Sequence, residues 1–300
     1  MKTPVLFLIF NRPDTTARVF EVIRAAGPER LYVAADGPRP GREGEAGLCA
    51  ETQRIAAAVD WPCEVKTLFR KDNLGCKLAV SSAITWFFEN EEEGIILEDD
   101  CLPDGSFFYF CEELLDRYRD NEKITHIGGA NFQDGICRGS ASYYFSRYAH
   151  VWGWATWRRA WKHYDVLIRS FPEFKKTGQI SRIFSDKSAG VYWMKVLQSV
   201  YDNKIDTWDY QWQYSAWASD SVAIVPNGNL VSNIGFGRGS THTADNRNRF
   251  SNMPACSLTV PLSHPGALIP DESADAYTFK HHYTRSIVLR ALAKIKRSFK

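Results

Sequence analysis

The chain has 300 residues, 37 Lys plus Arg against 35 Asp plus Glu, and a formal net charge of +2, so it is long enough for a substantial core and has no bulk positive charge of the kind nucleic-acid binders carry. With 44% hydrophobic and 24% charged residues, the composition excludes a disordered, collagenous or coiled-coil protein. The unusual figure is 14% aromatic: ten Trp and thirteen Tyr join an apolar body to a polar tip, which suits both cores and sugar-contacting surfaces.

Val5 to Phe10 is an apolar run that predicts a strand. As a signal peptide it is too short, lacks a small-residue cleavage site and runs into Asn11-Arg12-Pro13. Asp14 is placed to cap a helix with Val19, Ile23 and Ala26 on one face, stopped by Gly27-Pro28. Leu31 to Ala35 predicts a second strand, broken by Asp36-Gly37-Pro38. Then come a helix over Thr52 to Val59, a strand over Glu64 to Phe69, a helix over Leu74 to Phe88 with Leu78, Ile84 and Phe88 inward, and a fourth strand over Gly94 to Leu97. This rhythm predicts an α/β fold with a mostly parallel sheet, right-handed crossovers and helices on both faces. Ligands bind beyond the carboxyl ends of the strands of such a sheet.

From Ala141 to Trp217 aromatics crowd the chain, with helices expected over Ala155 to His163, Ala189 to Asn203 and Tyr210 to Ser219, and a strand over Val222 to Val225. Gly235 to Ser251 is polar and Gly-rich, the composition of a loop that orders on a ligand. No repeat or Pro/Ser-rich linker divides the chain, so residues 1–275 read as one domain. The seven Cys are scattered without a C-x-x-C pair, which reads as a reduced, cytoplasmic protein, and no apolar run is long enough to span a bilayer.

The most informative stretch is Ile95-Ile96-Leu97-Glu98-Asp99-Asp100. Three carboxylates at the end of a buried strand repel one another and call for a cation, and oxygen-only ligands favour Mg²⁺ or Mn²⁺, which bridge carboxylates to a diphosphate. The alternative is a solvated acidic cluster, as Glu91-Glu92-Glu93 is expected to be at the end of its helix.

The strand with Glu98-Asp99-Asp100, followed by Pro103-Asp104 and Phe107-Phe108, resembles the metal-binding segment of nucleotide-sugar glycosyltransferases of the GT-A fold. It is most similar to the N-acetylglucosaminyltransferase I family and its bacterial family-2-like relatives. Phe7 to Arg12, Asp36, Gly153-Trp154, Trp208-Asp209 with Trp212, Ile224-Val225-Pro226, and Phe236-Gly237-Arg238 with Thr241-His242 agree in order, over about residues 4–245. The resemblance implies that Asp100 binds the metal, Glu98 contacts the donor sugar, Asp99 the ribose and Asp36 the uracil. It places Arg12 near the nucleotide and makes Asp209 the general base. Asn73-Leu74-Gly75-Cys76-Lys77 stands where the first family has an early helix His, and follows the family-2 pattern instead. The division it implies is a nucleotide-sugar half over about 1–130 and an acceptor half over about 131–275.

The residues fit these roles. A carboxylate among Trp208, Tyr210 and Trp212 is partly desolvated, which raises its pKa toward a base's range, although Asp209 also stands where a helix N-cap would. One base opposite one leaving group implies inversion. Arg238, Thr241 and His242 read as a loop closing over the diphosphate, or as plain loop, while Gly235-Phe236-Gly237-Arg238-Gly239 lacks the context of a dinucleotide loop. Lys77 meets phosphate or is a solvated helix lysine; Trp152 and Trp154 stack on acceptor sugar or belong to the core; His281-His282 is read as surface.

The seven Lys and Arg after Asp275, where no acid follows, exceed the whole positive surplus, so an acidic body carries a basic tail. Val288, Leu292, Ile295 and Phe299 share a helical face, so residues 276–300 read as an amphipathic helix that lies on an anionic membrane or docks on the core. The expectation is therefore a bacterial, metal-dependent, inverting glycosyltransferase that moves a sugar from a UDP-sugar to a glycan or lipid-linked acceptor, without nucleic-acid partners. The rivals are a sugar nucleotidyltransferase, against which stands the absence of a Gly-rich triphosphate loop after the first strand, and a non-catalytic carbohydrate- or membrane-binding protein.

Overall fold

A computed structural model describes residues 1–236 and 249–284. The first half runs β1 (Val5–Ile9), α1 (Pro13–Ala26), β2 (Arg30–Ala35), α2 (Glu45–Ala56), β3 (Glu64–Phe69), α3 (Gly75–Asn90), β4 (Glu93–Glu98), β5 (Cys101–Pro103) and α4 (Ser106–Arg117). The second runs β6 (Ile124–Gly128), β7 (Tyr143–Ser146), β8 (Trp154–Trp157), α5 (Arg158–Trp161), α6 (Phe171–Lys176), α7 (Ile180–Ile183), α8 (Lys187–Tyr201), α9 (Asp209–Ala218), β9 (Val222–Pro226), β10 (Val231–Asn233) and α10 (Glu272–Thr278), which passes into a π-helical turn over Phe279–Tyr283.

Eight strands form one mixed sheet in the order β3-β2-β1-β4-β8-β6-β9-β7, and β5 pairs with β10 beside it. The strands β3, β2, β1 and β4 are mutually parallel, β8 runs antiparallel to both of its neighbours, β6 and β9 are parallel, and β7 closes the edge antiparallel to β9. The chain winds outward from β1 to β3 and returns to place β4 on the other side of β1. That reversal opens a crevice at the carboxyl ends of β1 and β4.

The alternation of β1 explains why its whole run is apolar. Val5, Phe7 and Ile9 enter one core with α1 and α4, while Leu6 and Leu8 enter a second with α3 and the Trp cluster. A third core of aromatics joins α6, α8, α9 and Phe279.

Several local expectations are corrected. The helix expected from Ala155 is a strand as far as Trp157, since Trp154 faces one core and Ala155 and Trp157 the other, and both ladder edges are taken by β4 and β6. Asp14 does not cap α1, which starts on Pro13 after Arg12 with no side-chain cap. Leu78 is 48% exposed, because the buried stripe of α3 runs through Lys77, Ser81, Ile84 and Phe88. Glu91 is no solvated helix end. It is buried, accepts a hydrogen bond of 2.8 Å from the Tyr32 hydroxyl and pairs with Arg30 at 3.2 Å. Among the described residues no helix is long and apolar enough to cross a membrane.

Candidate active site

The crevice between β1 and β4 is built by strand ends and the turn into α1. Leaving β1, the Phe10 backbone N–H donates to Asp99 Oδ2 at 3.0 Å. The Arg12 guanidinium then forks across two carboxylates, with Nη1 donating to Asp100 Oδ2 at 3.0 Å and Nη2 to Asp99 Oδ1. Burial opposes the Arg12 charge, but Asp99 and Asp100 outweigh it and raise its pKa. Burial, followed by repulsion from Asp100 and Asp99, pushes Glu98 up to about 8. Burial likewise raises Asp99, against the pull of Arg12.

The strand β10 roofs this cluster. Ile234 N donates to the Asp100 carbonyl at 2.8 Å, and a Cβ on Gly235 would stand 2.1 Å from Asp100 Oδ2 and 2.5 Å from Arg12 Nη1. Only a glycine lets the backbone approach the ion pair so closely.

A metal implied by the resemblance has a restricted set of protein ligands here. Asp100 Oδ2 is engaged by Arg12, its Oδ1 faces the Cys101 thiol at 3.5 Å, and among the described residues no group of three or more His, Cys, Asp or Glu is arranged to hold an ion. The donor set fits a hard cation that takes one carboxylate and fills its other positions with substrate oxygens and water, the habit of Mg²⁺. It does not fit a cage made of protein alone.

Asp36 sits at the end of β2 with both oxygens occupied. Oδ1 accepts from Gly37 N at 3.0 Å and Leu74 N at 2.9 Å, and Oδ2 from Asn73 Nδ2 at 2.9 Å and Gly75 N at 3.0 Å. In this arrangement the carboxylate ties the β2 end to the start of α3. Lys77 is buried rather than solvated and donates to Asn203 Oδ1 at 2.9 Å, which draws the end of α8 against α3. Arg238, Thr241 and His242 lie outside the described residues, as does the basic tail from residue 285.

Asp209 is the first residue of α9, not its cap, which is Trp208; its Oδ1 accepts the Thr207 hydroxyl. Its charge raises the pKa values of Glu98, Cys76 and Tyr283. Beyond it lies a cavity of about 180 Å³ whose walls include Trp152, His150, Tyr210, His282 and Tyr283. Trp152 is partly exposed and meets Phe132 at 5.2 Å and Phe236 at 5.8 Å between ring centroids. Trp154 is fully buried, with rings of His126, Trp212 and Trp208 at 5.1, 5.4 and 5.9 Å, so it is a core residue and meets no ligand.

His281 and His282 are both half-buried rather than a surface pair: the Nδ1 of His282 is shielded from solvent, and the His281 ring meets Tyr277 at 4.2 Å. The site members that sequence reading missed, His150, His282 and Tyr283, are brought together by β7, β8 and the π turn from segments more than a hundred residues apart. No local spacing signals such a meeting.

No protein-family model and no curated protein matches the chain. Among solved structures it is similar to HddC from Yersinia pseudotuberculosis, at 9% identity over 54% of this chain and 80% of that one, with a TM-score of 0.33. It is also similar to an apo UDP-glucose pyrophosphorylase, at 11% identity over 54% of this chain and 79% of that one, with a TM-score of 0.33. A third is 4-diphosphocytidyl-2C-methyl-D-erythritol synthase from Anaerococcus prevotii, at 6% identity over 54% and 74%, with a TM-score of 0.34.

Proposed function

We propose that the chain is an enzyme acting on nucleotide sugars and, more closely, a metal-dependent, inverting glycosyltransferase that uses a UDP-sugar. The observation that supports this reading is that Asp209 lines an aromatic cavity while its charge reaches Glu98 of the acidic cluster. In this reading an acceptor hydroxyl oxygen attacks the anomeric carbon, the bond from that carbon to the diphosphate breaks with its electron pair leaving on UDP, and Asp209 takes the hydroxyl proton. Thr207 fixes the carboxylate's orientation. Asp100 would hold a divalent ion that neutralises charge on the leaving diphosphate. Arg12 orders Asp99 and Asp100 and keeps a positive charge beside the phosphates. The acceptor is a glycan or a lipid-linked glycan, and the basic residues after Asp275 supply the membrane contact the latter needs.

The second reading, a sugar nucleotidyltransferase, is the activity that the name of the UDP-glucose pyrophosphorylase carries. Two measurements separate them. Calorimetry with UDP should show binding that requires Mn²⁺ or Mg²⁺ and is lost in Asp100→Ala; equal binding without metal overturns the metal assignment. Incubation of UDP-sugars with pyrophosphate yields UTP and sugar 1-phosphate under the second reading. Under the first, pyrophosphate yields no UTP, and UDP is released only as a glycan hydroxyl or water takes the sugar, a release that Asp209→Asn loses while still binding the donor.

A further inference from the structure

The eight-stranded sheet has two edges, and the chain treats them differently. At β7 every residue is buried, Phe145 bridges Pro270, and Asp271 N donates to the Phe145 carbonyl at 2.8 Å, so a returning segment covers that edge. At β3 no described residue does the same. Glu64 N and Arg70 N, just past the end of the strand, donate to the Glu29 and Ala35 carbonyls at 2.8 and 3.0 Å. In a parallel ladder alternate residues face the neighbour, so Glu64, Lys66, Leu68 and Arg70 serve β2, and the N–H and C=O groups of Val65, Thr67 and Phe69 point out of the sheet. The strand keeps an even register against β2, from Arg30 opposite Glu64 to Ala35 opposite Phe69, and has neither Pro nor bulge. Those are devices by which proteins blunt an open edge.

The side chains say what fits there. Val65 and Phe69 are each 37% exposed, with Thr67 exposed between them, on the sheet face that carries Leu31, Val33 and Ala35. On the other face, toward α3, Lys66 Nζ reaches Asn90 Oδ1 at 3.2 Å and Arg70 Nη2 donates to Ser82 Oγ at 2.7 Å. The strand is complementary to itself when reversed. In an antiparallel pair about a two-fold axis at Thr67, Glu64 of one copy lies opposite Arg70 of the other, Val65 opposite Phe69, and Thr67 opposite Thr67. The outward backbone groups of Val65, Thr67 and Phe69 are then the ones that bond across the axis. An axis one residue earlier sets Lys66 against Lys66, and one residue later sets Lys66 against Arg70, and both pairs repel. A second copy thus matches the charges and the two exposed apolar side chains in a single register, which favours it over a foreign strand.

We propose that the chain forms a symmetric dimer through β3, in which two sheets join as one across antiparallel β3 strands with Thr67 at the axis. The joined strands run in opposite directions, so the crevices at the carboxyl ends of β1 and β4 open at opposite ends of the combined sheet. The inference is independent of which reaction the crevice performs.

Sedimentation and light scattering of the full chain over a dilution series test this. The mass should pass reversibly from twice 34.2 kDa to 34.2 kDa as the protein is diluted. Thr67→Pro removes an outward N–H that β2 does not use, so the fold should persist while the dimer weakens by about tenfold or more. Glu64→Arg, at an exposed side chain, sets like charges opposite each other and should weaken the dimer by about fivefold or more. It serves if Thr67→Pro does not fold. Glu64→Arg combined with Arg70→Glu restores opposite charges across the axis and should return the affinity to within about threefold of wild type, a recovery that fixes the register. A wild type that stays monomeric up to about 0.2 mM overturns the proposal and leaves the edge to a strand from another protein. A dimer that Thr67→Pro and Glu64→Arg form as readily as wild type also overturns it, because such a dimer is built on another surface.

Discussion

Arg12 Nη1 lies 3.0 Å from Asp100 Oδ2, and the same guanidinium holds Asp99, so the cluster contains its own cation. The side chain of Asp99 is 3% exposed, and removing the guanidinium would strand a buried negative charge. Arg12→Ala should therefore destabilise the fold by about 3–5 kcal/mol, the usual cost of breaking a buried pair from one side. Urea unfolding checks it. Arg12→Lys keeps the charge and loses the fork, so it should fall between the two, and Asp99→Asn combined with Arg12→Ala should recover part of the loss. A loss below about 0.5 kcal/mol in Arg12→Ala would falsify the view that this pair is structural.

Gly235 is constrained by the same two side chains. A methyl group there meets Asp100 Oδ2 at 2.1 Å and Arg12 Nη1 at 2.5 Å, and both atoms are fastened to each other. Gly235→Ala must push either β10 or the ion pair aside. The expected outcome is UDP affinity reduced by about tenfold, near 1.4 kcal/mol, with the protein still folded. Gly266→Ala, whose added methyl has nothing within 4 Å, is the matched control and should bind UDP as wild type does.

The strands flanking the crevice were legible because β1 and β4 are covered on both faces, and a strand buried twice reads as an unbroken apolar run. The same burial hid β8. Trp154-Ala155-Thr156-Trp157 alternates between two cores, but apolar residues face both, so the period of two disappears into an aromatic run. Glu98-Asp99-Asp100 could be read as a cluster needing a cation. That Arg12 supplies one from 88 residues away in sequence is a product of the crossover topology. Asp36 was legible as the break after the second strand, yet most of its partners are backbone amides, those of Gly37, Leu74 and Gly75, which carry no side-chain signature, and the one side chain among them, Asn73, comes from 37 residues away. Glu91, flanked by two more glutamates, reads as solvated in one dimension and is paired across the fold by Tyr32 and Arg30.

A pH dependence is built in far from the crevice. Asp275 accepts from Ser146 Oγ at 2.6 Å and from Arg147 N at 3.0 Å, and burial pushes it up to about 6 from 3.8. The folded protein therefore holds this proton more tightly than the unfolded chain does. The stability it gives is fully present below pH 3.8 and is lost as the pH rises through about 6. Over that window the loss is about 3 kcal/mol, from 1.36 kcal/mol for each unit. Asp275→Asn mimics the protonated side chain. Its stability relative to wild type should rise by about that amount between pH 3.8 and 6 in urea titrations, and a constant difference across the window would refute the shift.

Two tryptophans that lie two positions apart should behave in opposite ways. Trp154 is fully buried in the second core, with His126, Trp212 and Trp208 around it, and its indole N–H has no hydrogen-bond partner among the described residues. Trp154→Ala opens a large cavity and should cost about 3–5 kcal/mol. Trp154→Phe also loses volume, but it removes the unpaired donor, whose burial costs about 1–3 kcal/mol, so its loss should be clearly the smaller of the two. Trp152 packs one side on Phe132 and Phe236 and turns another toward the cavity beside Asp209. Trp152→Ala should cost less than about 2 kcal/mol in stability, since part of its surface is already in water. Its effect should appear instead as a raised KM for acceptor, with UDP binding unchanged. The pair is decided by urea unfolding and UDP calorimetry on the same preparations: equal stability losses at the two positions would mean that Trp152 is core and that the cavity wall is drawn in the wrong place.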